Sequence, residues 1–215
     1  MSKTALQTAE LNAVYNLYTT VLGRGADASG AAYWANQLAQ LDSAASIAAT
    51  ATAPASSAIT SLASQIASSG EAKNTVLPVF NLFEALLGRA PDASAISFYN
   101  NQVQSGTSLT AIATSIANST EFTNLYKGVT GTALSNAIVT NFYNNGLARS
   151  ADSNGFSYWT DYLSSKGNSV STIVSAALGF STSAEAVSST STAGIRATSF
   201  EANVGSLSTL SLIHI

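Results

Sequence analysis

The chain has 215 residues, a formal net charge of −3 and a sequence pI near 4.9. Only 9% of the residues are charged, against ~25% in an average globular protein, so uncharged polar residues must cover much of the surface. The basic residues occur singly, which gives no footprint for nucleic acid or anionic lipid, and the absence of cysteine excludes disulfides and thiolate chemistry.

The N-terminal residues 1–18 lack a basic region followed by a long apolar core, so they do not predict a Sec signal peptide. No run of ~18 uninterrupted apolar residues predicts a transmembrane segment. A chain without cysteine, poor in lysine and rich in Ser, Thr, Ala and Asn suits bacterial proteins exported through a one-step channel. We therefore expect an extracellular or cell-surface location.

One pattern occurs three times, in Val14–Leu38, Val79–Val103 and Val139–Leu163. A unit this short cannot bury its apolar face alone, so such repeats normally stack on one another. The sequence predicts an all-α fold of tandem helical repeats, with about three helices per repeat, packed into one array or bundle. The expected boundaries are an N-terminal segment (1–10), repeats at 11–75, 76–136 and 137–190, and a linker or the start of a further region (191–209).

The first helix of each repeat is predicted from an apolar stripe with the period of an amphipathic helix. In the second copy this stripe consists of Val79, Leu82, Phe83, Leu86 and Leu87. Gly23 and Gly88 follow the stripe and suit the left-handed residue that closes a helix. The third copy has Gly146 within the stripe and Ala148 at the closing position, which predicts a weaker or shorter helix that cannot close cheaply.

The second helix of each repeat is predicted to begin at an aspartate N-cap: Asp27, Asp92 or Asp152. An aromatic pair follows in each copy: Tyr33-Trp34, Phe98-Tyr99 and Tyr158-Trp159. A third helix is predicted after it, and a serine and a glutamate two residues later resemble a further helix start. These triplets are Ser69-Gly70-Glu71, Ser119-Thr120-Glu121 and Ser183-Ala184-Glu185.

The last six residues, Leu210 to Ile215, look like a translated sequencing-adapter end. We expect residues 210–215 to be an artefact and the natural chain to continue past about Thr209; a genuine apolar C-terminus is the alternative. His214, which is the only histidine, lies in this segment.

Three arginines, Arg24, Arg89 and Arg149, each stand three residues before a capping aspartate. We interpret each one as a loop clamp that donates to Asp27, Asp92 or Asp152 and to free carbonyls at the preceding helix end. The alternative is an anion or sugar-acid site, and these six residues are our candidates for ligand contact.

Two other kinds of site compete with structural interpretations. The loops after Asp27 and Asp152 are faintly similar to calcium loops, but one carboxylate per loop falls short of the six to eight oxygens that calcium prefers. Trp34, Tyr99 and Trp159 are candidates for a sugar-stacking platform, although aromatics at helical spacing are more often core. We expect no metal site and no cofactor in this chain; regions downstream of it are a possible place for calcium.

Catalytic constellations are missing from the sequence. There is no G-x-S-x-G elbow, phosphate-binding loop or H-E-x-x-H motif, and most of the eleven acidic residues are assigned to helix caps. We therefore predict that the protein is not an enzyme.

The motif L-G-R-x-x-D-x-x-G-x-x-Y-W, followed by a helix and S-x-E-F, resembles the bacterial domain of unknown function 4214. The resemblance spans about Leu11 to Ser188 and is most specific in the first copy, while the second departs at Ala95 and Tyr99 and the third at Ala148. That family occurs as tandem copies in S-layer proteins, RTX-type adhesins and other large secreted proteins.

The resemblance implies the N-terminal part of a secreted surface protein that anchors to cell-surface glycan or mediates assembly. Lipopolysaccharide or another surface glycan, and further copies of the chain, are the expected partners; nucleic acid is not. The alternative is a structural spacer or accessory module of a larger RTX-type protein or hydrolase.

Overall fold

The computed structural model describes residues 3–44 and 53–187. The predicted linker at 191–209, the segment 210–215 and His214 lie outside the described residues. The chain forms two compact units, with the boundary between Val76 and Leu77. Repeat 1 lies in the first unit, and repeats 2 and 3 lie in the second.

In residues 3–44 and 53–76 the first unit has three helices and two π-helical turns. In chain order these are α1 (Lys3–Leu17), a π-helical turn (Tyr18–Leu22), α2 (Ala28–Ala44), α3 (Ser56–Ala67) and a second π-helical turn (Ala72–Val76). The three helices pack against one another, and the first π-helical turn also contacts α3. Each helix therefore buries its apolar side on the other two.

The second unit holds two repeats of the same order. Its elements are α4 (Leu77–Leu87), α5 (Ala93–Gln104), α6 (Leu109–Ala117), α7 (Thr120–Leu125), α8 (Gly131–Asn141), a π-helical turn (Phe142–Gly146), α9 (Ser153–Ser165), α10 (Val170–Ser181) and α11 (Ala184–Val187). No strand occurs among the described residues, so the all-α prediction is confirmed. Each repeat has a short fourth helical element besides the three expected helices, and this element begins after the S-x-E serine.

The predicted apolar stripe forms the core of every repeat. Leu82 and Leu86 of α4 are fully buried. Val21 occupies the position of Leu86 in repeat 1, Phe142 occupies that of Leu82 in repeat 3, and both are fully buried as well. Burying a leucine side chain contributes about 1.5–3 kcal/mol. The three stripes therefore account for much of what holds the helices together.

Repeats 2 and 3 pack on each other through equivalent helices. The first helix α4 contacts α8 and its π-helical turn, and the third helices α6 and α10 lie against each other. Two asparagines join the repeats: the Asn81 side-chain amide donates to the Ser181 carbonyl at 2.9 Å, and that of Asn141 donates to the Ala85 carbonyl at 2.6 Å. Asn81 is buried and Asn141 is half-buried, and amides bonded across the repeats in this way fix the register between them.

The first helix closes in the left-handed conformation in all three repeats. Gly23 and Gly88 have φ of 66° and 70°, as predicted. Ala148 also adopts a positive φ, of 53°. The helix of repeat 3 therefore closes in the same conformation as the other two, although this conformation is costly for alanine. The next residue offers a reason, because the Arg149 amide donates to the Tyr143 carbonyl at 3.1 Å and holds the chain in the turn. The helical stretch of repeat 3 ends at Gly146, one position earlier than its counterpart ending at Leu87.

Candidate functional site: the arginine corners

A corner made of one arginine and one glutamate recurs in each repeat. The Arg24 guanidinium donates through Nε and Nη2 to both carboxylate oxygens of Glu71, with an Nη2–Oε2 distance of 2.7 Å. Arg89 binds Glu121 in the same way at 2.7 Å. Arg149 binds Glu185 with an Nη2–Oε2 distance of 2.9 Å. Two parallel hydrogen bonds to an ionised partner form a strong, geometrically specific pair.

The prediction that these arginines donate to the capping aspartates and to carbonyls at the preceding helix end was therefore wrong in part. Asp27 lies 3.7 Å from Arg24, and Asp152 lies 3.9 Å from Arg149, both beyond hydrogen-bond distance. The backbone acceptor is the carbonyl of the residue after each arginine, not one at the preceding helix end. These bonds run from Nη1 to Gly25, Ala90 and Ser150 at 2.8, 2.9 and 3.1 Å. The clamp thus ties the first loop of a repeat to the start of its last helical element.

Each arginine also lies over an aromatic ring of the preceding helical stretch. The guanidinium carbon of Arg24 is 4.9 Å from the centre of the Tyr18 ring, and that of Arg149 is 4.9 Å from Tyr143. Arg89 lies 5.3 Å from the Phe83 ring. A cation over an aromatic face is favourable, so the corner joins a buried ring to a surface ion pair.

The predicted aspartate caps are confirmed in all three repeats. A carboxylate oxygen of Asp27 accepts from the Gly30 amide, and those of Asp92 and Asp152 accept from the amides of Ala95 and Gly155, each at 2.8 Å. A hydrogen bond from the Ser29 hydroxyl and another from the Gly30 amide lower the pKa of Asp27 to about 2. Hydrogen bonds to the charged form likewise lower the pKa of Asp92 and Asp152. The aspartates therefore serve the helix start, as predicted.

The corner glutamates are positioned by the S-x-E serines. The hydroxyl of Ser119 accepts from the Phe122 amide at 3.1 Å and caps α7, and Ser69 and Ser183 make the corresponding bonds at 3.2 and 3.1 Å. Each cap places its glutamate in the first turn, where the helix dipole favours a carboxylate. The hydrogen bonds from Arg89 and Arg149 lower the pKa of Glu121 and Glu185.

Every guanidinium nitrogen in these corners donates at least one hydrogen bond within the chain. In each repeat Nε, Nη1 and Nη2 all donate to acceptors of the same chain. The paired glutamate neutralises the guanidinium and takes its two parallel donors, so the geometry favours a structural role. Among residues 3–44 and 53–187, no group of three or more His, Cys, Asp or Glu could hold a metal ion.

The predicted aromatic platform residues lie on the inner side of the second helix. Tyr99 and Trp159 pack against the core, and Trp34 is half-buried. Their neighbours in sequence point outward, with exposed fractions of 56% for Tyr33, 57% for Phe98 and 63% for Tyr158. Each outer ring meets its inner neighbour edge to face, with ring centres 4.9–5.2 Å apart.

Tyr99 and Trp159 therefore pack as the core interpretation expected, whereas the sequence analysis made no prediction for the exposed outer rings. An exposed polar side chain stands on the same helix face one turn before and one turn after each outer ring. These flanking residues are Ser29 and Asn36, Ser94 and Asn101, and Asn154 and Asp161.

A pair of buried acids is specific to the first unit. Glu10 of α1 is 5% exposed and Asp42 of α2 is 3% exposed. One Asp42 carboxylate oxygen accepts from the Ala55 amide at 3.0 Å. Burial raises the pKa of both acids, and the proximity of Asp42 raises that of Glu10 further. Nothing in the sequence pattern indicated this pair, because neither residue belongs to the repeated motif.

A small open cleft of about 320 Å³ lies at the start of α8. Its lining includes Thr130, Leu134, Ser164 and Asn168 and contains no titratable side chain. Hydroxyl and amide groups of this lining can form hydrogen bonds with a small polar molecule.

The fold and the corners define a class of all-α repeat proteins in which each repeat is closed by an Arg–Glu pair. The family model of the domain of unknown function DUF4214 matches residues 2–49, 63–126 and 113–190. The chain therefore belongs to the DUF4214 family and carries tandem copies of its domain. No match was found among curated proteins or among solved structures. None of the described helices has the length and apolar composition needed to cross a bilayer.

Proposed function

We propose that this chain is a non-catalytic part of a secreted bacterial surface protein, of S-layer or RTX-type adhesin kind, that anchors to cell-surface glycan or mediates assembly. The observation that carries the proposal is the outer aromatic ring of each repeat. Three second helices present a ring that is more than half exposed, with hydrogen-bonding side chains on either side. Sugars combine apolar C–H faces with hydroxyl groups, so a ring flanked by amides or hydroxyls suits them.

The charge distribution supports the same proposal. Five of the six flanking residues carry a neutral hydroxyl or amide, and Asp161 is the single acid among them. Neutral polar groups can bind an uncharged sugar without a counter-ion. Placement of one such surface in every repeat suits a polymer with repeating units, because several weak contacts then act together.

The test is binding of the purified chain to lipopolysaccharide-bearing cells and to isolated surface polysaccharide. Replacing Tyr33, Phe98 and Tyr158 together with alanine should abolish binding while the helix content is retained. Leu125→Ala is a matched control, because Leu125 is also half exposed but lies on α7, away from these faces. Unchanged binding by the triple variant, or no binding by the natural chain at high concentration, would refute the glycan proposal.

The arginine corners favour a second candidate, a structural spacer that presents another module. Each arginine is paired with a glutamate of its own repeat, and serine and aspartate caps at the adjoining helix starts hold the same corner. If the chain binds no glycan and remains monomeric, the spacer is the better explanation.

A further inference from the structure

The exposed faces of the three second helices differ in charge at one position. We call an outer ring and its two flanking side chains the ring face of a repeat; in repeat 3 these are Asn154, Tyr158 and Asp161. Three residues after the ring, repeats 1 and 2 carry the amides Asn36 and Asn101, whereas repeat 3 carries the carboxylate Asp161. All three of these side chains are exposed. The ring face of repeat 3 is therefore acidic, and the other two are neutral.

The Asp161 carboxylate has no structural partner. It forms no hydrogen bond or ion pair with any residue in the part of the chain that the structure describes. Lys166, which follows α9, places its ammonium group 5.3 Å from the centre of the Tyr162 ring instead. By contrast, the acids of the caps and corners each accept hydrogen bonds within the chain. The carboxylate of Asp161 is therefore available to a ligand.

Tyr158 stands one turn from Asp161, on the same side of α9. Side chains at this spacing have Cβ atoms about 5–6 Å apart. Tyr158 is 63% exposed, which is the largest fraction among the three outer rings, and it packs edge to face on Trp159 with ring centres 5.2 Å apart. A ligand that lies on the Tyr158 ring therefore meets the Asp161 carboxylate beside it.

The charge of this ring face complements a cation. The face of an aromatic ring carries a negative electrostatic potential that attracts an ammonium group, and the carboxylate adds a direct attraction between opposite charges. A neutral sugar gains nothing from the carboxylate, and an acidic sugar is repelled by it. The ring face of repeat 3 thus suits a positively charged glycan unit better than either.

We propose that the ring face of repeat 3 binds a glycan unit with a free ammonium group, and that Asp161 determines this preference. The sugar ring lies on Tyr158, its ammonium group donates to Asp161, and the Asn154 amide faces its hydroxyl groups. The ring faces of repeats 1 and 2, with Asn36 and Asn101, bind uncharged units. This inference rests on the glycan-binding part of the proposed function and names the chemistry of one ligand.

The first test compares two sugars that differ only in acetylation of their amines. Glucosamine trimer and N-acetylglucosamine trimer are each titrated into the 15N-labelled full chain at about pH 6, where a free amine is protonated. The natural chain should bind the glucosamine trimer with amide shifts centred on Tyr158. Asp161→Asn should weaken this binding about two- to fivefold, the usual size of an exposed ion pair. Tyr158→Ala should weaken it as well, because the ring is lost.

Two results would overturn the proposal: absence of shifts around Tyr158 with the glucosamine trimer, or equal binding by the natural chain and Asp161→Asn. Failure here is distinct from failure of the proposed function, because that function is tested with surface polysaccharide and the triple ring variant.

The second test separates this site from general attraction between an acidic chain and a cation. Asn101→Asp places a carboxylate one turn after the Phe98 ring and so copies the ring face of repeat 3. Gln104→Glu adds the same charge at an exposed position of α5 that lies off the ring face. Asn101→Asp should create a second site for the glucosamine trimer, with shifts centred on Phe98, and Gln104→Glu should not. Equal gains from both variants, or no gain from Asn101→Asp, would contradict the proposal.

Discussion

The hydroxyl of Tyr18 lies so close to the α-carbon of Gly30 that a Cβ at position 30 would overlap it. Tyr143 and Gly155 have the same relationship in repeat 3. In repeat 2 the ring is Phe83, which has no hydroxyl, and the residue facing it in the motif is Ala95. The glycine of the motif is therefore required by the tyrosine, and alanine is accommodated where the hydroxyl is absent.

This relationship predicts reciprocal rescue. Gly30→Ala should lower the free energy of unfolding by about 1–3 kcal/mol, the usual cost of overpacking. Combining it with Tyr18→Phe should recover much of the loss. Urea denaturation of both single variants and the double variant gives the coupling energy, and simple additivity would contradict the steric explanation.

The converse substitution, which adds the tyrosine hydroxyl instead of removing it, can be made in repeat 2. Phe83→Tyr should destabilise the second unit because the new hydroxyl meets the Ala95 side chain, and Ala95→Gly should restore stability. Full stability of Phe83→Tyr alone would show that the ring has room to move.

The arginine corners predict a graded loss of stability. Arg89→Lys keeps the charge but loses the two parallel bonds to Glu121, and it should cost about 1 kcal/mol. Arg24→Lys should cost more, because the Arg24 and Glu71 side chains are 22% and 31% exposed, against 41% and 45% for Arg89 and Glu121. Thermal and urea denaturation measure the difference. Lys127→Gln, at an exposed site on no corner, should leave stability unchanged.

The aspartate caps predict a separate loss. Asp92→Ala removes the acceptor for the Ala95 amide and should cost about 1 kcal/mol, whereas Asp92→Asn keeps a good N-cap and should cost less. The melting temperature measures both changes. Loss of glycan binding by Asp92→Ala with an unaltered melting temperature would instead assign this aspartate to a ligand.

The buried acids predict an unusual pH dependence in the first unit. Because the folded state raises the pKa of Glu10 and Asp42, it binds their protons more tightly than the unfolded state does. Their contribution is present below the ordinary carboxyl pKa and is lost as the pH rises through the raised values. The free energy of unfolding should therefore fall as the pH rises from about 4.5 towards neutrality.

Glu10→Gln and Asp42→Asn should each flatten this dependence in urea denaturation. Asp161→Asn, at an exposed acid of the second unit, is the matched control and should leave it unaltered. Below that pH window the lowered pKa of Asp27, Asp92 and Asp152 acts in the opposite direction, because those caps lose their contribution when they are protonated.

Local chemistry made part of the molecule predictable. The aspartate caps depend on an amide only three residues ahead, so Asp92 and Ala95 could be paired from the sequence. The apolar stripe of α4 likewise follows from helical period alone. Both features were confirmed because they require no knowledge of how distant segments meet.

The partners of the arginines could not be predicted in this way. Arg24 and Glu71 are 47 residues apart, while Arg89 and Glu121 are 32 apart, so no fixed spacing joins them. The aspartate three residues away was the nearer candidate, yet its carboxylate is already committed to the helix start. The available signal was that one arginine and one S-x-E glutamate occur in every repeat.

The half-buried position on the inner side of the second helix has a practical consequence. It is occupied by an indole in two repeats, Trp34 in the first unit and Trp159 in the second, and these are the only tryptophans in the chain. Tyr99 fills the same place in repeat 2, so the site tolerates a phenol. Exchanging either indole for tyrosine leaves a single tryptophan in the chain, and the melting of each half of the molecule can then be followed separately by its emission when the indole is excited selectively over the tyrosines.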